Sequence, residues 1–305
     1  MRRVIGIGET ILDILFKNNH PQAAVPGGSV FNGIVSLGRA GANVTFISEV
    51  GEDYVGKIIL GFMKENGICT DNVMVYPERK SPVSLAFLNE KNDAEYSFYK
   101  DYPNLRLDID MPKITAEDIV MFGSFYAVTP QLREKVKELL DNAREAGAII
   151  YYDVNFRSTH AHEAIKLMPT ILENFEYADI VRGSTEDFGN MFGMTDADKV
   201  YQQKVGFYCP RFICTNGSEK LCLRTKTLKK DYPVEPLQTV STIGAGDNFN
   251  AGLVFGLLKN RIRRNDLDEL NDTDWDKIIA SGMSFSKEVC MSLDNYISKE
   301  FAASL

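Results

Sequence analysis

The chain has 305 residues, 44% of them hydrophobic, and its formal net charge at pH 7 is -8. This length is enough to bury a large core as one domain, and the acidic balance argues against a nucleic-acid partner. Glu9 and Asp13 interrupt the apolar N-terminal residues, and no stretch of about 18 apolar residues occurs, so we expect neither a signal peptide nor a membrane span. The five cysteines lack metal-ligand or CxxC spacing, which favours reduced thiols and a cytoplasmic location.

Apolar segments rich in Val, Ile and Phe alternate along the chain with amphipathic segments. The apolar segments predict buried strands at 4–8, 44–48, 119–123, 148–154, 178–182 and 211–215. The amphipathic segments predict helices that include 29–41 and 131–147, the second ended by Gly147. This alternation predicts an α/β fold with a doubly wound, mainly parallel sheet and helices on both faces.

Residues 84–100 break this alternation, because they form two strand-like segments around a polar turn with no helix after them. Antiparallel strands attached to a parallel sheet are typical of a lid or a dimer surface. We therefore predict one domain over residues 1–305, with an inserted β lid at roughly 82–104 and in part of 10–26. A homodimer formed through these strands is the alternative use of the same surface.

Several motifs typical of other protein classes are incomplete. The segment GIGETI at 6–11 begins like a dinucleotide fingerprint, but it ends in Ile11 and no helix pattern follows. The triplet DFG at 187–189 lacks the companion motifs of protein kinases, and no P-loop occurs. Of the three histidines, His20 is isolated, and His160 and His162 are interpreted as solvated loop residues.

The segment STIGAGDNFNAGL at 241–253 places Asp247 behind a Gly-Ala-Gly turn and ahead of an apolar pattern with helical spacing. The free N–H groups of the first helical turn would form an anion site there. A carboxylate at that point either caps the helix or takes a proton from a hydroxyl that attacks phosphorus. The residues alone leave both interpretations open.

Two regions of the chain resemble the signature regions of the ribokinase-like (PfkB) sugar-kinase family. They are 26–56, with Gly27, Gly28, Asn32, Gly51, Asp53 and Gly56, and 241–252, with Gly244, Ala245, Gly246 and Asp247. The resemblance covers essentially the whole chain and implies a ribokinase-like fold. It also implies an ATP- and Mg2+-dependent kinase that phosphorylates a primary hydroxyl of a free sugar, with fructose favoured.

The same resemblance leaves other activities open. A 2-keto-3-deoxygluconate kinase, a ribokinase and a nucleoside kinase are alternatives within the class. A sugar-binding regulator with weak catalysis is an alternative outside it, and a nucleotide-binding oxidoreductase would depend on the GIGETI segment alone. The expected partners are a small sugar and ATP, without nucleic acid or membrane.

The resemblance also implies roles for individual residues. Asp247 is the implied base, and the amides of Gly244, Ala245 and Gly246 would stabilise the transferring phosphoryl group. The implied sugar pocket consists of Asp13, Gly27, Gly28, Asn32, Phe98, Lys100, Asn155 and Arg157. The implied nucleotide side consists of Glu186, Thr215, Gly217, Gly244 and Gly246, with Glu186 holding Mg2+ through water.

Three positions depart from the family pattern. Gly183 stands where the family's Asn-x-x-Glu element begins, which weakens the expected metal arrangement. Ser241 replaces an acid that helps to bind a monovalent cation in relatives, so we expect a phosphate-binding turn that forms without potassium. Lys100 stands where relatives often carry an arginine, and it keeps the charge but loses the two-pronged hydrogen bonding.

Overall fold

The β-branched and aromatic segments form strands in the computed structural model, which describes residues 2–88, 94–101 and 106–305. In chain order these strands are Arg3–Ile7 (β1), Ile11–Lys17 (β2), His20–Gly27 (β3), Asn43–Gly51 (β4), Ile68–Cys69 (β5), Val73–Tyr76 (β6), Val83–Leu88 (β7), Ala94–Tyr99 (β8), Ile119–Gly123 (β9), Ile149–Asp153 (β10), Ile180–Ser184 (β11), Phe212–Asn216 (β12), Lys220–Arg224 (β13) and Lys229–Pro233 (β14). Each strand predicted from the sequence is present, with its ends displaced by no more than a few residues.

The helices follow the amphipathic segments. They are Ser29–Arg39 (α1), Tyr54–Glu65 (α2), Arg133–Ala146 (α3), Ala164–Tyr177 (α4), Thr185–Phe192 (α5), Ala197–Gln203 (α6), Ala245–Lys259 (α7), Asp272–Cys290 (α8) and Lys299–Ala303 (α9). Helix α3 ends at Gly147, whose φ of 74° places it in the left-handed region that favours glycine. The predicted stop at this residue is therefore confirmed.

One large sheet has the strand order β14-β13-β12-β11-β10-β9-β1-β4, with β5 and β6 pairing along successive parts of β4. Its strands pair in parallel from β12 through to β5 and β6, and only β13 and β14 are added antiparallel. Residues of β1 alternate between two hydrophobic cores, Val4 facing one and Ile5 and Ile7 the other. Helices α1, α2, α7 and α8 cover the first core, and α3 to α6 cover the second. The predicted doubly wound fold is confirmed.

A separate small sheet has the order β3-β2-β7-β8, with β2 and β7 parallel and the two outer pairs antiparallel. Because β1 ends at Ile7 and β2 begins at Ile11, the small sheet starts at the carboxyl edge of the large sheet. Residues 89–93 and 102–105 of the predicted lid lie outside the described residues. The separate sheet was predicted correctly, and its use as a lid or a dimer surface stays a prediction.

The structure tests the interpretations of the GIGETI segment and of the histidines. A strand, β2, follows the GIGETI segment, so this segment does not enter a helix as a dinucleotide site would require. The interpretation of His160 as a solvated loop residue is wrong. Its ring stacks on Phe125 with the centroids 3.6 Å apart, whereas the His162 side chain is 75% exposed.

The five cysteines form no disulfide, and four of them are buried. None of the helices in the described ranges has both the length and the apolar character needed to cross a membrane.

Candidate active site

The predicted site residues collect at one edge of the large sheet. The parallel strands β1, β9, β10, β11 and β12 all end there, and α1, α5 and α7 begin close to it. In open α/β sheets, ligands bind in the crevice outside the carboxyl ends of the strands. Contacts between these elements show which side chains meet at this edge.

Asp247 lies in the first turn of α7, and its side chain is turned toward α1. The Ser29 hydroxyl donates a hydrogen bond to Oδ1 at 3.0 Å, and the Asn32 amide donates to Oδ2 at 2.8 Å. The residue preceding the helix is Gly244, with a φ of 76°, and α7 has no side-chain cap. The interpretation of Asp247 as a helix cap is therefore wrong.

The surroundings of Asp247 suit a base. Burial raises the pKa of its carboxyl, while the Asn32 hydrogen bond and the Arg157 charge oppose this increase. A carboxylate whose pKa is raised toward the working pH accepts a proton more readily. Asn32 Oδ1 is buried and has no hydrogen-bond partner within the described ranges, so it can accept a hydrogen bond from a ligand hydroxyl.

Asn155 supports the same cluster from the end of β10. Its amide donates to the Ser29 hydroxyl at 2.7 Å, which leaves that hydroxyl oriented toward Asp247. Asn155 has a φ of 37°, a conformation that non-glycine residues adopt rarely and that often occurs at functional sites. Asn155 therefore orients Ser29 and, through it, the carboxylate.

The Gly-Ala-Gly turn presents N–H groups beside this carboxylate. The Ala245 N–H already donates to the Thr242 carbonyl at 3.2 Å, so it is not available to a ligand in this conformation. The N–H groups of Gly246 and Asp247 have no acceptor among the residues that the structure describes. In this conformation the turn therefore presents the N–H groups of Gly246 and Asp247, and not that of Ala245, to any anion bound beside it.

A buried ion pair that the sequence reading missed lies beside the turn. Arg182 donates to Asp153 at 2.9 Å and to the Thr215 hydroxyl at 2.8 Å. A Cβ atom on Gly246 would lie only 3.1 Å from the Arg182 guanidinium, so this cation lies directly against the turn. Burial raises the pKa of Asp153 to about 6, although the Arg182 charge opposes the increase. Asp153 Oδ2 and Arg182 Nε have no hydrogen-bond partner in the described part of the chain.

A sequence signal for this pair existed. Asp153 and Arg182 are opposite charges at the ends of two apolar strand segments, and they are direct neighbours in the register of β10 and β11. Charges are rarely buried unless they are paired. Two such charges in successive buried strands could have been predicted to meet.

Asp13 lies on the small sheet at the other side of the site. Its carboxylate accepts a hydrogen bond from Ser84, and a Cβ on Gly27 would lie 2.5 Å from Asp13 Oδ2, so only glycine leaves room for this side chain. Burial raises the pKa of Asp13, and the Ser84 hydrogen bond and the Arg157 charge oppose it. Because Arg157 lowers the pKa of both Asp13 and Asp247, this exposed arginine lies within electrostatic range of both carboxylates.

Gly28 and Lys100 connect the small sheet to the same region. Gly28 has a φ of 141°, and a Cβ there would overlap the carbonyl oxygen of Glu9. Lys100 directly follows β8, and its ammonium group donates to both carboxylate oxygens of Glu9 at 2.8 Å. Phe98 is 53% exposed, and the Lys100 nitrogen lies 5.0 Å from the centroid of its ring.

The predicted nucleotide side is formed by β12, the hairpin after it and the start of α5. Thr215 is the residue before the last of β12, and its hydroxyl accepts a hydrogen bond from Arg182. Gly217, with a φ of 48°, forms the turn to β13. Glu186 is exposed in the first turn of α5. Within the described ranges no three acidic, histidine or cysteine side chains cluster as a metal site. Mg2+ usually keeps several waters and binds one or two carboxylates plus substrate phosphates, so a single exposed Glu186 fits the predicted water-mediated role.

The departures at Gly183 and Ser241 each have a local explanation. A Cβ on Gly183 would lie 2.6 Å from the Phe188 ring, so the ring occupies the space that a larger residue would need. The Ser241 hydroxyl accepts a hydrogen bond from the Ile243 N–H at 3.2 Å. This uncharged hydrogen bond stabilises the residues directly before the Gly-Ala-Gly turn. Asn295, which the sequence reading also missed, accepts through its carbonyl from the Asn248 amide at 2.8 Å and packs against Gly244.

An open groove of about 570 Å³ lies away from this site, at the amino end of β11 and β12. Among its lining residues, Arg264 pairs with Asp179 at 2.8 Å and Arg211 pairs with Asp268 at 2.6 Å. None of the predicted site residues lines it. The geometry therefore favours the carboxyl edge as the site of chemistry.

A buried carboxylate directly after a glycine-rich turn, N–H groups without an acceptor in the described ranges beside it and polar side chains on a small sheet fit a phosphotransferase with an alcohol acceptor. Residues 4–272 match the model of the pfkB family carbohydrate kinases, and the chain belongs to this family. The predicted family and enzyme class are confirmed.

The chain is similar to sugar kinases along most of its length. It is 28% identical over 264 residues to a fructokinase of Rhizobium leguminosarum bv. trifolii, which covers 83% of this chain and 79% of that protein. It is also 28% identical over 246 residues to a 5-dehydro-2-deoxygluconokinase of Geobacillus thermodenitrificans, covering 76% and 72%. Its fold matches the crystal structure of a fructokinase from Vibrio cholerae O395, bound to fructose, ADP and calcium, with a TM-score of 0.85 and 17% identity over 100% and 98% of the two chains.

Proposed function

We propose that this protein is an ATP-dependent fructokinase that transfers the γ-phosphoryl group to a primary hydroxyl of the sugar. The observation that carries the proposal is the Asp247 carboxylate, which is buried beside unpaired helix N–H groups and is turned toward Ser29 and Asn32 rather than capping α7. The fructokinase from Rhizobium leguminosarum and the Vibrio cholerae structure with fructose and ADP support the choice of sugar and nucleotide.

In this proposal the acceptor hydroxyl donates its hydrogen bond to the Asp247 carboxylate, and Asn32 Oδ1 accepts from a second hydroxyl of the sugar. Asp247 takes the hydroxyl proton as the oxygen attacks phosphorus, and the bond between the γ-phosphorus and its bridging oxygen breaks. The N–H groups of Gly246 and Asp247 bind the transferring phosphoryl oxygens, and the Arg182 charge beside the turn favours the negative charge there. Bound Mg2+ would neutralise phosphate charge, and Glu186 would hold it through water.

The sugar is proposed to bind on the small-sheet side. The Asp13 carboxylate would accept hydrogen bonds from sugar hydroxyls, with Gly27 and Gly28 allowing a close approach of the backbone. Strand β8 would then act as the lid that places Phe98 and Lys100 over the sugar. The exposed aromatic residues of β8 also fit a homodimer through the small sheet, which sedimentation of the purified chain would test.

A second candidate is a kinase of a sugar acid. The relative named 5-dehydro-2-deoxygluconokinase supports it, and Lys100 and Arg157 are cations near Asp13. A coupled ADP-release assay with fructose, ribose, 5-dehydro-2-deoxygluconate, 2-keto-3-deoxygluconate and a nucleoside separates the candidates. We expect the highest kcat/KM with fructose. A higher value with either acid would replace the proposal by the second candidate, and no turnover with any acceptor would favour the sugar-binding regulator.

A further inference from the structure

We infer that Glu9 is a specificity-determining residue, which cancels the charge of Lys100 and so makes the pocket select a neutral sugar over a sugar acid. This inference rests on the proposed function, since it concerns the substrate of that same site. Glu9 belongs to the GIGETI segment, which no part of the proposed mechanism has used.

The ion pair between Glu9 and Lys100 is close and two-pronged. The Lys100 ammonium lies 2.8 Å from both carboxylate oxygens, and the two side chains are 28% and 31% exposed. The pair joins the loop after β1 to the residue after β8, so it bridges the large sheet and the small sheet. Partial burial at both ends means that water screens this attraction less than it would on an open surface.

This pair lies beside the proposed sugar pocket. The Glu9 carbonyl packs against Gly28, and the next residue, Ser29, binds the Asp247 carboxylate. Glu9 raises and Lys100 lowers the pKa of Asp13, so both charges act on the carboxylate proposed to bind the sugar. Any substrate held by Asp13 therefore also experiences the charges of Glu9 and Lys100.

Among the described residues, the charged groups that act most strongly on Asp13 are the cations Arg157 and Lys100 and the carboxylate Glu9. Glu9 and Asp13 together match these two positive charges. A substrate carboxylate that pairs with Lys100 would have to take it from Glu9, and it would leave Glu9 unpaired at close range. Like charges placed together in this way reduce binding of the wrong ligand.

A neutral sugar does not disturb the pair. Each Glu9 oxygen has a second lone pair beyond the one that accepts from Lys100, so it can also accept from a sugar hydroxyl. The pocket therefore offers hydroxyl acceptors without a surplus of positive charge. This arrangement suits a ketose such as fructose better than a keto-deoxy sugar acid.

The test is Glu9→Gln in the full chain, because glutamine keeps the size of the side chain and one oxygen acceptor for Lys100 but removes the negative charge. We expect the ratio of kcat/KM for 5-dehydro-2-deoxygluconate to that for fructose to rise by about tenfold or more, equivalent to about 1.4 kcal/mol. Glu95→Gln is the matched control, since Glu95 is exposed on β8 and its loss changes the net charge equally. This control should leave the ratio unchanged.

A double-mutant cycle with Lys100→Met identifies the cause. If Glu9 acts mainly by neutralising Lys100, then Glu9→Gln should raise the ratio by a clearly smaller factor in the Lys100→Met background than in the wild type, because only the direct repulsion between Glu9 and the acid is then removed. An unchanged ratio in Glu9→Gln, or an equal rise of the ratio in both backgrounds, would overturn the inference. Turnover of fructose by the wild type would still support the proposed function in that case.

Failure of the proposed function gives a different result. If the wild type turned over no sugar, calorimetric titration would give its dissociation constants for fructose and for the acid. The ratio of these two constants would then replace the ratio of kcat/KM values. The inference then requires tighter binding of fructose by the wild type and a shift toward the acid in Glu9→Gln. Absence of either result would overturn it.

Discussion

Replacing Asp247 by asparagine separates the proposed base from a structural carboxylate. An asparagine side-chain oxygen can still accept from Asn32, and its amide group can donate to the Ser29 hydroxyl, so the contacts to α1 can be kept with the proton acceptor removed. We therefore expect a folded protein that binds ATP but has lost most of its turnover. The change tests one chemical property of the side chain, its ability to take a proton.

The magnitude follows from the role of a general base, which contributes about 10²- to 10⁴-fold, or about 2.7 to 5.4 kcal/mol of transition-state stabilisation. The change in the free energy of unfolding should be much smaller than this loss of transition-state stabilisation. Burial raises the pKa of Asp247 in the folded state above its value in the unfolded state. The free energy of unfolding therefore falls as the pH rises from the unfolded-state pKa to the folded-state pKa. Asparagine carries no charge to desolvate, so we expect no large fall in Tm.

The assay is kcat for fructose, with ATP binding and Tm measured on the same samples. Asp274→Asn is the matched control, because Asp274 occupies the same position in the first turn of α8, far along the chain from the turn, and its carboxylate is part of a capping box. The control should lose about 0.3 to 1 kcal/mol of stability and no activity. An Asp247→Asn variant with near-normal kcat would refute the assignment of the base.

Three further outcomes follow from the site. Asp13→Asn should raise KM for the sugar by about 10- to 100-fold and leave KM for ATP within about twofold, because a hydrogen bond to a charged acceptor is worth about 1.5 to 3 kcal/mol; equal changes in both KM values would point to a folding defect. The kcat of the wild type should fall on the acid side at a pH above the ordinary value of 3.8, because burial raises the pKa of Asp247 and its protonated form cannot act as the base; a profile that stays flat down to pH 4 would contradict this. Because the Ser241 hydroxyl already bonds to the chain, kcat should agree within about twofold in sodium, potassium and tetramethylammonium buffers of equal ionic strength; saturable activation by potassium would show that carbonyl groups bind the cation without an acid.

The sequence predicted the parts of the fold that depend on local pattern. Continuous apolar segments such as 119–123 matched β9 without any shift, because a strand buried on both faces needs hydrophobic residues at every position. Gly147 ended α3 because the left-handed conformation at a helix end favours glycine. Asp247 could be singled out because the glycines before it and the helical pattern after it occupy a single short segment.

Contacts between distant segments were harder to predict. The Asp153–Arg182 pair joins residues 29 positions apart, and it exists because β10 and β11 are adjacent and in register. The Asn295 carbonyl meets the Asn248 amide 47 positions away, and no residue pattern around Asn295 indicates this. The polar neighbours of His160 in the sequence predict a solvated ring, whereas in the structure the ring stacks on Phe125, which lies on another segment.

The glycine-rich turn has a second role that only the structure reveals. Gly244, with its φ of 76°, lets the chain enter α7 with the N–H groups of Gly246 and Asp247 lacking an acceptor among the described residues. The missing Cβ of Gly246 lets the Arg182 guanidinium lie against the same backbone. An alanine there would place a carbon atom 3.1 Å from the nearest guanidinium nitrogen, so Arg182 would have to shift by a few tenths of an ångström. Since Arg182 is held by Asp153 and Thr215, its charge is already in place beside the anion site that we propose. A site prepared in this way needs little rearrangement when negative charge develops, which is the condition under which electrostatic stabilisation is most effective.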